Sequence, residues 1–331
     1  MKRYLLGDIG GTNARFALAE EGADGQPLVF RHKANFATAD YRSLEDALSR
    51  FLSDIQRPPL DAAAICAAGP LLSEGGTDRI RMTNCPWDIS SGAIAQVTGC
   101  AHPRLMNDFT ALALAIPELP ADALHAVGDG VAEAGRPIAL LGAGTGLGVA
   151  SLVHDGARYI PVPGEGGHVD LPVTDEFEIE ILRRFMARFG RVSVERVLSG
   201  PGLVSLYEVL GELRRRPVEV GLTPEEVAAH AGDGSCPIAV EAVSFFCGWL
   251  GSVAGNLALT LWASGGIYIG GGIVPGWVSS GSGLFDEAHF RRRFEAKGRF
   301  AEHLAGFPVH VILAEEPAFF GLAAAAREAS R

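Results

Sequence analysis

Lysine is almost missing from this chain. Of its 28 basic residues only Lys2, Lys33 and Lys297 are lysines, and none stands beside a glycine-rich stretch. No Gly-Lys-Ser/Thr occurs anywhere, which excludes a Walker-type phosphate loop. Cysteine is sparse too. Cys66, Cys85, Cys100, Cys236 and Cys247 are odd in number, scattered, and form no Cys-x-x-Cys pair. A zinc site is disfavoured, and a reduced cytoplasmic setting is expected. Positive charge is short overall, with 39 acidic residues giving a net charge of −11. Neither nucleic acid nor an anionic membrane is an expected partner. A signal peptide is not expected either, because Asp8 interrupts the apolar run that follows Lys2 and Arg3.

Glycine and apolar residues are plentiful. The 42 glycines imply many tight turns, and 331 residues suffice for about two domains with sizeable cores. Residues 242–263 carry no charge and are long enough to span a bilayer. No basic cluster flanks them, Glu241 stands at their start, and small residues abound. A buried central helix is the expectation.

The stretch Tyr4-Leu-Leu-Gly-Asp-Ile-Gly-Gly-Thr-Asn-Ala-Arg15 organises the chain. A short apolar strand leads to Asp8. Gly10 and Gly11 allow a turn where other residues would not, and residues 15–19 alternate as a returning strand. Such a hairpin can hold an anion on exposed N–H groups, and an acid at its mouth can hold a metal ion directly or through water. An ordinary hairpin with a solvated Asp has the same pattern.

A third strand is expected at 28–33, a helix at 43–54, a buried strand at 61–68, an edge strand at 79–83, a short helix at 88–97, a strand at 104–106 and a helix at 109–116. Residues 117–136, rich in Pro and Gly, read as the boundary between two halves. The pattern then restarts: a strand at 138–141, the glycine turn 142–148, a strand at 149–154 and another at 158–161. Both halves open with strand, glycine turn, strand, strand. Further helices are expected at 175–189, with Asp175 and Glu178 as a capping box, and from Ser193 to a stop at Gly200-Pro201. Others follow at 203–214, at a strong start at Thr223-Pro224-Glu225-Glu226, at 285–302 and at 317–327. Strands are expected at 266–269 and 309–313.

Three glycine clusters stand out: Gly10-Gly11, residues 142–148, and Gly270-Gly271-Gly272. A dinucleotide fingerprint fails on spacing and because a strand, not a helix, follows 142–148. Two glycine hairpins clamping a polyphosphate remain, its charge neutralised by backbone N–H groups and by Mg²⁺ near Asp8. The triple glycine after a buried strand would let backbone approach a flat base.

Gly-Asp-Ile-Gly-Gly-Thr-Asn (7–13), Gly-Ala-Gly-Thr-Gly-Leu-Gly (142–148) and Gly-Gly-Gly (270–272) resemble the two phosphate loops and adenosine motif of the actin, heat-shock ATPase and sugar-kinase superfamily. Met-Asn-Asp-Phe-Thr (106–110), Pro-Gly-Glu-Gly-Gly-His-Val-Asp (163–170) and Glu-Arg-Val-Leu-Ser-Gly-Pro-Gly (195–202) resemble bacterial glucokinases within it. The resemblance runs from Met1 to about Gly321. It implies an α/β fold of two actin-like ATPase (ribonuclease H-like) lobes with an interdomain cleft. The small lobe would comprise 1–116 and 309–331, the large lobe 117–308. It implies ATP-dependent phosphorylation of glucose at the 6-hydroxyl, by a homodimer with ATP and Mg²⁺ as cofactors. Nucleotide binding would fall to Gly7, Asp8, Ile9, Gly10, Gly11 and Thr12, to Gly142, Gly144, Thr145 and Gly146, and to Gly270, Gly271 and Gly272. Asp8 would position Mg²⁺.

Phosphoryl transfer to an alcohol needs a base beside the hydroxyl. By the resemblance that base is Asp108; by local pattern alone it reads rather as a cap for the helix at Phe109. Asn107, Asp108, Glu165, His168 and Glu195 would hold the sugar. Taken alone, Asn107 is a turn residue, His168 a surface or hydrogen-bonded histidine, and Glu195 an acid favouring its helix N-terminus. Asp170 has no assigned partner and reads as structural. The cysteine cluster of the related zinc-containing sugar kinases and repressors is missing after His168. Two other readings remain. An actin-like ATPase would leave the proposed sugar residues unexplained. A sugar-sensing regulator would need a DNA-binding segment, for which no room is expected before the first phosphate loop.

Overall fold

The computed structural model describes residues 1–22, 28–82 and 85–330. They form two units: Met1–Pro120 with the stretch from Ala314 onward, and Ala121–Leu313. The boundary anticipated within 117–136 falls at Pro120. The return to the first unit falls at Ala314, later than the 309 expected, because the strand beginning at Val309 is paired inside the second unit.

In the first unit, strands β1 (Lys2–Ile9), β2 (Asn13–Glu21) and β3 (Val29–Ala37) form an antiparallel meander. After helix α1 (Leu44–Asp54), β4 (Ala62–Ala67) joins β1 in parallel. A small sheet of β5 (Leu71–Glu74), β6 (Thr77–Arg81) and β7 (Asp88–Ser90) follows, then α2 (Ser91–Thr98), β8 (Arg104–Asn107) and α3 (Asp108–Ala115). The main sheet has the order β3-β2-β1-β4-β8. Alternation along β1 sends Leu5 and Ile9 to one face and Tyr4 and Leu6 to the other. The first face packs on α1 through Leu48 and Phe51, and on Trp87 and Ile89. The second packs on the C-terminal helix, Ala318–Ala329, through Phe319 and Leu322. Each of these two fully buried side chains contributes about 1.5–3 kcal/mol, enough to hold the chain's end on this unit. Gly321 lets that helix approach α3, since a Cβ there would lie 1.8 Å from the Ala111 carbonyl oxygen.

Two expectations need correction here. β6 is the middle strand of the small sheet, not an edge, because the short strands either side of it lack the apolar run that marks a strand. Its expected end at Thr83 lies outside the described residues. Residues 88–90 are a strand that runs directly into α2, where the Ser90 hydroxyl accepts the Ala93 N–H.

The second unit repeats the plan. After β9 (Leu124–Ala126), strands β10 (Ile138–Ala143), β11 (Leu147–His154) and β12 (Tyr159–Gly164) form an antiparallel meander. Helices α4 (Glu176–Phe189), α5 (Gly200–Arg214), α6 (Pro224–Gly232) and α7 (Pro237–Leu261) follow, then β13 (Ile267–Gly271), α8 (Ile273–Ser279), α9 (Glu287–Glu295), α10 (Ala301–Ala305) and β14 (Val309–Ile312). The sheet order is β12-β11-β10-β13-β14-β9, with β10, β13 and β14 parallel. The uncharged run lies in α7, long and apolar enough to cross a membrane by length and composition, yet 78% of its most apolar window is buried within the protein.

Three helix boundaries differ from expectation. Gly200-Pro201 starts α5 rather than stopping a helix: Ser199 caps it and proline occupies the first turn. Asp175 caps α4, but Glu178 turns back to the Thr174 N–H (2.6 Å) instead of closing a box on Asp175, and its other oxygen meets Arg293 at 2.6 Å. The helix expected over 285–302 breaks after Glu295. There the Lys297 ammonium reaches the Ser252 carbonyl and Asn256 of α7, and Gly298 adopts φ +58. The capping box at Thr223 and Glu226 forms as read.

Candidate active site

The first unit gathers its polar groups at the C-terminal ends of β1, β4 and β8. Register places Asp8 beside Cys66, and Cys66 beside Met106. Parallel strands end together there, so a residue just past each strand end lies near its neighbours. Asp8 is held from two sides. Arg15, its cross-strand partner on β2, donates to Oδ2 at 3.2 Å, and the Cys66 thiol donates to Oδ1 at 3.5 Å. Burial first, then the carboxylates of Asp8 and Asp108, push the Cys66 thiol well up, which keeps it a protonated donor.

The turn Gly10–Asn13 follows. The Gly10 N–H donates to the Asn13 carbonyl at 2.8 Å. Buried Thr38 anchors the far side, its hydroxyl on the Gly11 carbonyl (2.8 Å) and its N–H on the Thr12 carbonyl (2.9 Å). Gly10 does not adopt a left-handed backbone, contrary to expectation. What it supplies is open space: the Asn13 carbonyl, 3.4 Å away, is all that a Cβ there would meet.

Asp108 begins α3. Asn107, not Asp108, is the residue that caps the helix: its Oδ1 accepts the Phe109 N–H at 2.9 Å, and its amide donates to the Gly69 carbonyl at 3.0 Å. Asp108 Oδ1 accepts the same N–H at 2.9 Å. Withdrawal from water raises the Asp108 carboxyl to about 6. The Phe109 N–H opposes that rise and the Asp8 charge adds to it. A carboxylate near pKa 6 is a stronger base than a solvated Asp and still ionised at neutral pH.

The second unit brings its motifs to one end of its sheet. Gly142 and Ala143 on β10 pair with Gly270 and Gly271 on β13, and the Gly272 N–H donates to the Ala143 carbonyl at 3.1 Å. The second glycine loop and the triple glycine are therefore adjacent. The loop itself is exposed at Thr145. Its underside is held by the segments that resemble a sugar site. The Glu195 carboxylate accepts the Leu147 N–H at 2.8 Å, and the Gly200 N–H donates to the Gly144 carbonyl at 2.8 Å. Two glycines matter at this packing, Gly167 against backbone and Gly146 against a movable side chain. A Cβ on Gly146 would stand 2.5 Å from Glu195 Oε2, and one on Gly167 would stand 2.1 Å from the Leu147 carbonyl oxygen.

Glu165 and His168 flank a single 3-10 turn, Gly166–His168. Both are well exposed, with Oε2 and Nε2 3.9 Å apart. Arg191 steadies the turn by donating to the His168 carbonyl (2.8 Å) and to Asp170 (2.9 Å), which gives Asp170 the partner that sequence did not name.

Sequence reasoning missed four features. Arg15 was legible, since a hairpin turning at 10–12 pairs residue 8 with residue 15; counting lysines alone overlooked it. Cys66, Thr38 and the link from Glu195 to Leu147 depend on contacts between distant segments. All five cysteines are free. Among the described residues no cluster of three or more His, Cys, Asp or Glu is poised for a metal. Mg²⁺ takes one or two carboxylates and completes its shell with phosphate oxygens and water. Asp8, a partly exposed carboxylate with the Asp108 charge nearby, fits that donor set.

The family model described as Glucokinase matches residues 5–329. A glucokinase of Aromatoleum aromaticum is 47% identical over 324 residues, covering 97% of this chain and 93% of that one. The crystal structure of a glucokinase from an Antarctic psychrotroph superimposes with a TM-score of 0.89 at 32% identity, covering 99% of both chains. A Balamuthia mandrillaris glucokinase solved with glucose shares the fold, with a TM-score of 0.78 at 19% identity over 98% of this chain and 94% of that one.

Proposed function

The chain belongs to the glucokinase family and phosphorylates glucose with ATP, and we propose that Asp108 is the base that accepts the proton of the 6-hydroxyl as it attacks the γ-phosphate. The observation that carries this assignment is the Asp108 carboxyl itself, at the end of β8, withdrawn from water and raised to about 6. Asn107, beside it, keeps its backbone geometry through the cap and the Gly69 contact, and its second amide hydrogen and second lone pair remain for sugar hydroxyls. Glu165, His168 and Glu195 are the sugar ligands of the second unit. Groups so placed discriminate strongly, because a wrong epimer leaves them unpaired.

Phosphate oxygens are held by N–H groups of the Gly10–Thr12 turn and of the Gly144–Gly146 turn, and Gly270 to Gly272 receive the adenosine. Arg15 supplies the fixed positive charge that the lysine-poor loops lack. Asp8 would hold Mg²⁺, directly or through water. Bound there, the ion would neutralise charge on the phosphates. The Arg15 and Cys66 contacts set the direction in which Asp8 presents its oxygens.

A cytoplasmic homodimer is the form that the family resemblance supports, and five unpaired cysteines suit a reducing compartment. Glucose 6-phosphate formation across several hexoses, followed by a coupled assay, tests the reading. Rapid turnover of glucose and poor turnover of its epimers is expected. ATP hydrolysis without sugar phosphorylation would sink it.

A further inference from the structure

We propose that Glu195 is a positioning residue that couples the sugar to the second phosphate loop: one carboxylate oxygen holds the loop while the other receives a sugar hydroxyl. The inference rests on the reading of Glu195 as a sugar ligand and adds a consequence for nucleotide binding.

The orientation of the carboxylate carries it. Oε2 accepts the Leu147 N–H at 2.8 Å, and a Cβ on Gly146 would lie 2.5 Å from Oε2 but 4.0 Å from Oε1. One oxygen is therefore turned into the loop and the other away from it. A carboxylate offers about four acceptor positions, so the Leu147 contact leaves Oε1 free for a hydroxyl donor. The backbone beneath Glu195 is rigid. It lies in the turn Val194–Arg196, whose Val194 is fully buried, and the Ser199 hydroxyl donates to the Glu195 carbonyl at 2.8 Å. The same segment reaches the loop a second time, through the Gly200 N–H on the Gly144 carbonyl. Loop and segment therefore meet at two points, three residues apart on the first and five on the second.

A Glu side chain loses rotamer freedom when either ligand orders it. Ordered once by the sugar, it presents the loop with its N–H groups already set, and the nucleotide binds a prepared loop. Linkage makes the effect reciprocal: glucose tightens nucleotide binding by the factor by which nucleotide tightens glucose. The absence of charge in residues 142–148 makes such preparation matter more, since only backbone direction is available to hold phosphates there.

The test is the affinity of a non-hydrolysable ATP analogue with Mg²⁺, measured calorimetrically on the full chain with and without saturating glucose. The wild-type protein is expected to bind the analogue about fivefold more tightly with glucose, at the lower end of ordinary coupling. Glu195→Asp, one methylene too short to serve both sides, should bring the ratio to about one. Gly146→Ala, which pushes Oε2 off the loop from the opposite side, should do the same. Glu195→Gln keeps a carbonyl oxygen for the Leu147 N–H and should retain a ratio above about two. Melting curves establish that each variant is folded. A wild-type ratio of one, or an undiminished ratio in Glu195→Asp, overturns the coupling. Glucose affinity without nucleotide separates the premise: if Glu195→Asp leaves it unchanged, the sugar-ligand reading fails. A weakened glucose affinity with an intact ratio sinks the coupling alone.

Discussion

The two glycine hairpins share a plan and differ in what they carry. In the first, β1 and β2 bring an acid and a base face to face, Asp8 and Arg15, and a thiol from β4 completes the hold on the acid. In the second, residues 142–148 carry no charge, and shape does the work: glycines admit Glu195 below the loop and bring β13 against it. A repeat of one supersecondary unit has thus been divided between chemistry and fit. The first hairpin tolerates side-chain change in principle but not loss of charge. The second tolerates no added bulk at Gly142, because backbone lies within 2.7 Å of where a Cβ there would sit.

The division is tested most severely at Asp108. Asp108→Asn keeps an oxygen for the Phe109 N–H but removes the base we propose, and turnover should fall about 10²–10⁴-fold. Stability should move the other way. The Asp108 carboxyl is raised in the folded protein, from 3.8 to about 6. Its contribution to stability is therefore complete below about pH 4 and is lost as pH rises through 6. At neutral pH the buried charge costs about 1–3 kcal/mol, and the neutral amide avoids it. The variant should melt higher than wild type at pH 7.5 and alike at pH 4. An inactive variant that also melts lower would mark Asp108 as structural instead.

Arg15 comes next. Arg15→Ala removes a charged hydrogen bond to Asp8 and, on our reading, a phosphate contact. Turnover should drop about 10–100-fold, the equivalent of one charge-assisted bond. Since Arg15 is partly exposed, melting should change little. An unaffected rate would leave the first hairpin no richer in chemistry than the second. A smaller effect follows from pH alone. With the proposed base, the Asp108 carboxyl, raised to about 6, kcat/KM should be flat above pH 7 and fall about tenfold per pH unit below 6. A profile flat down to pH 4.5 would contradict the raised carboxyl.

How much of this was legible depends on the range of the contacts. β1, β2 and the turn between them are local, and the apolar run from Tyr4, the glycines after Asp8 and the alternation over 15–19 suffice to place them. The register that sets Arg15 on Asp8 is local too, once the turn is known. The second unit's opening repeats that pattern and could be read the same way. Short strands such as Leu71–Glu74 and Asp88–Ser90 were not legible, because so few residues display no period and these lack a continuous apolar run. The break at Gly298 was hidden as well: the charged run across it reads as one helix, and only the Lys297 contact with α7 shows why it ends. Glu195 on Leu147 spans 48 residues, and no local pattern encodes that meeting. The motifs of the candidate site were readable, whereas the contacts that hold them were not.

The smallest expected effect addresses how the first loop is held. Where the second loop rests on a carboxylate, the first rests on one buried hydroxyl, Thr38 on the Gly11 carbonyl. Thr38→Val keeps the shape and the backbone bond from Thr38 to the Thr12 carbonyl, but leaves the Gly11 oxygen without its donor. A neutral hydrogen bond of this kind is worth about 1 kcal/mol. The loss should appear as a KM for ATP raised about fivefold with kcat nearly unchanged, because the turn presents its N–H groups less often without altering the base or Arg15. Were kcat to fall instead, the turn would be setting the position of the transferred phosphate and not only its binding. The first hairpin would then do by shape what we assign to its charges.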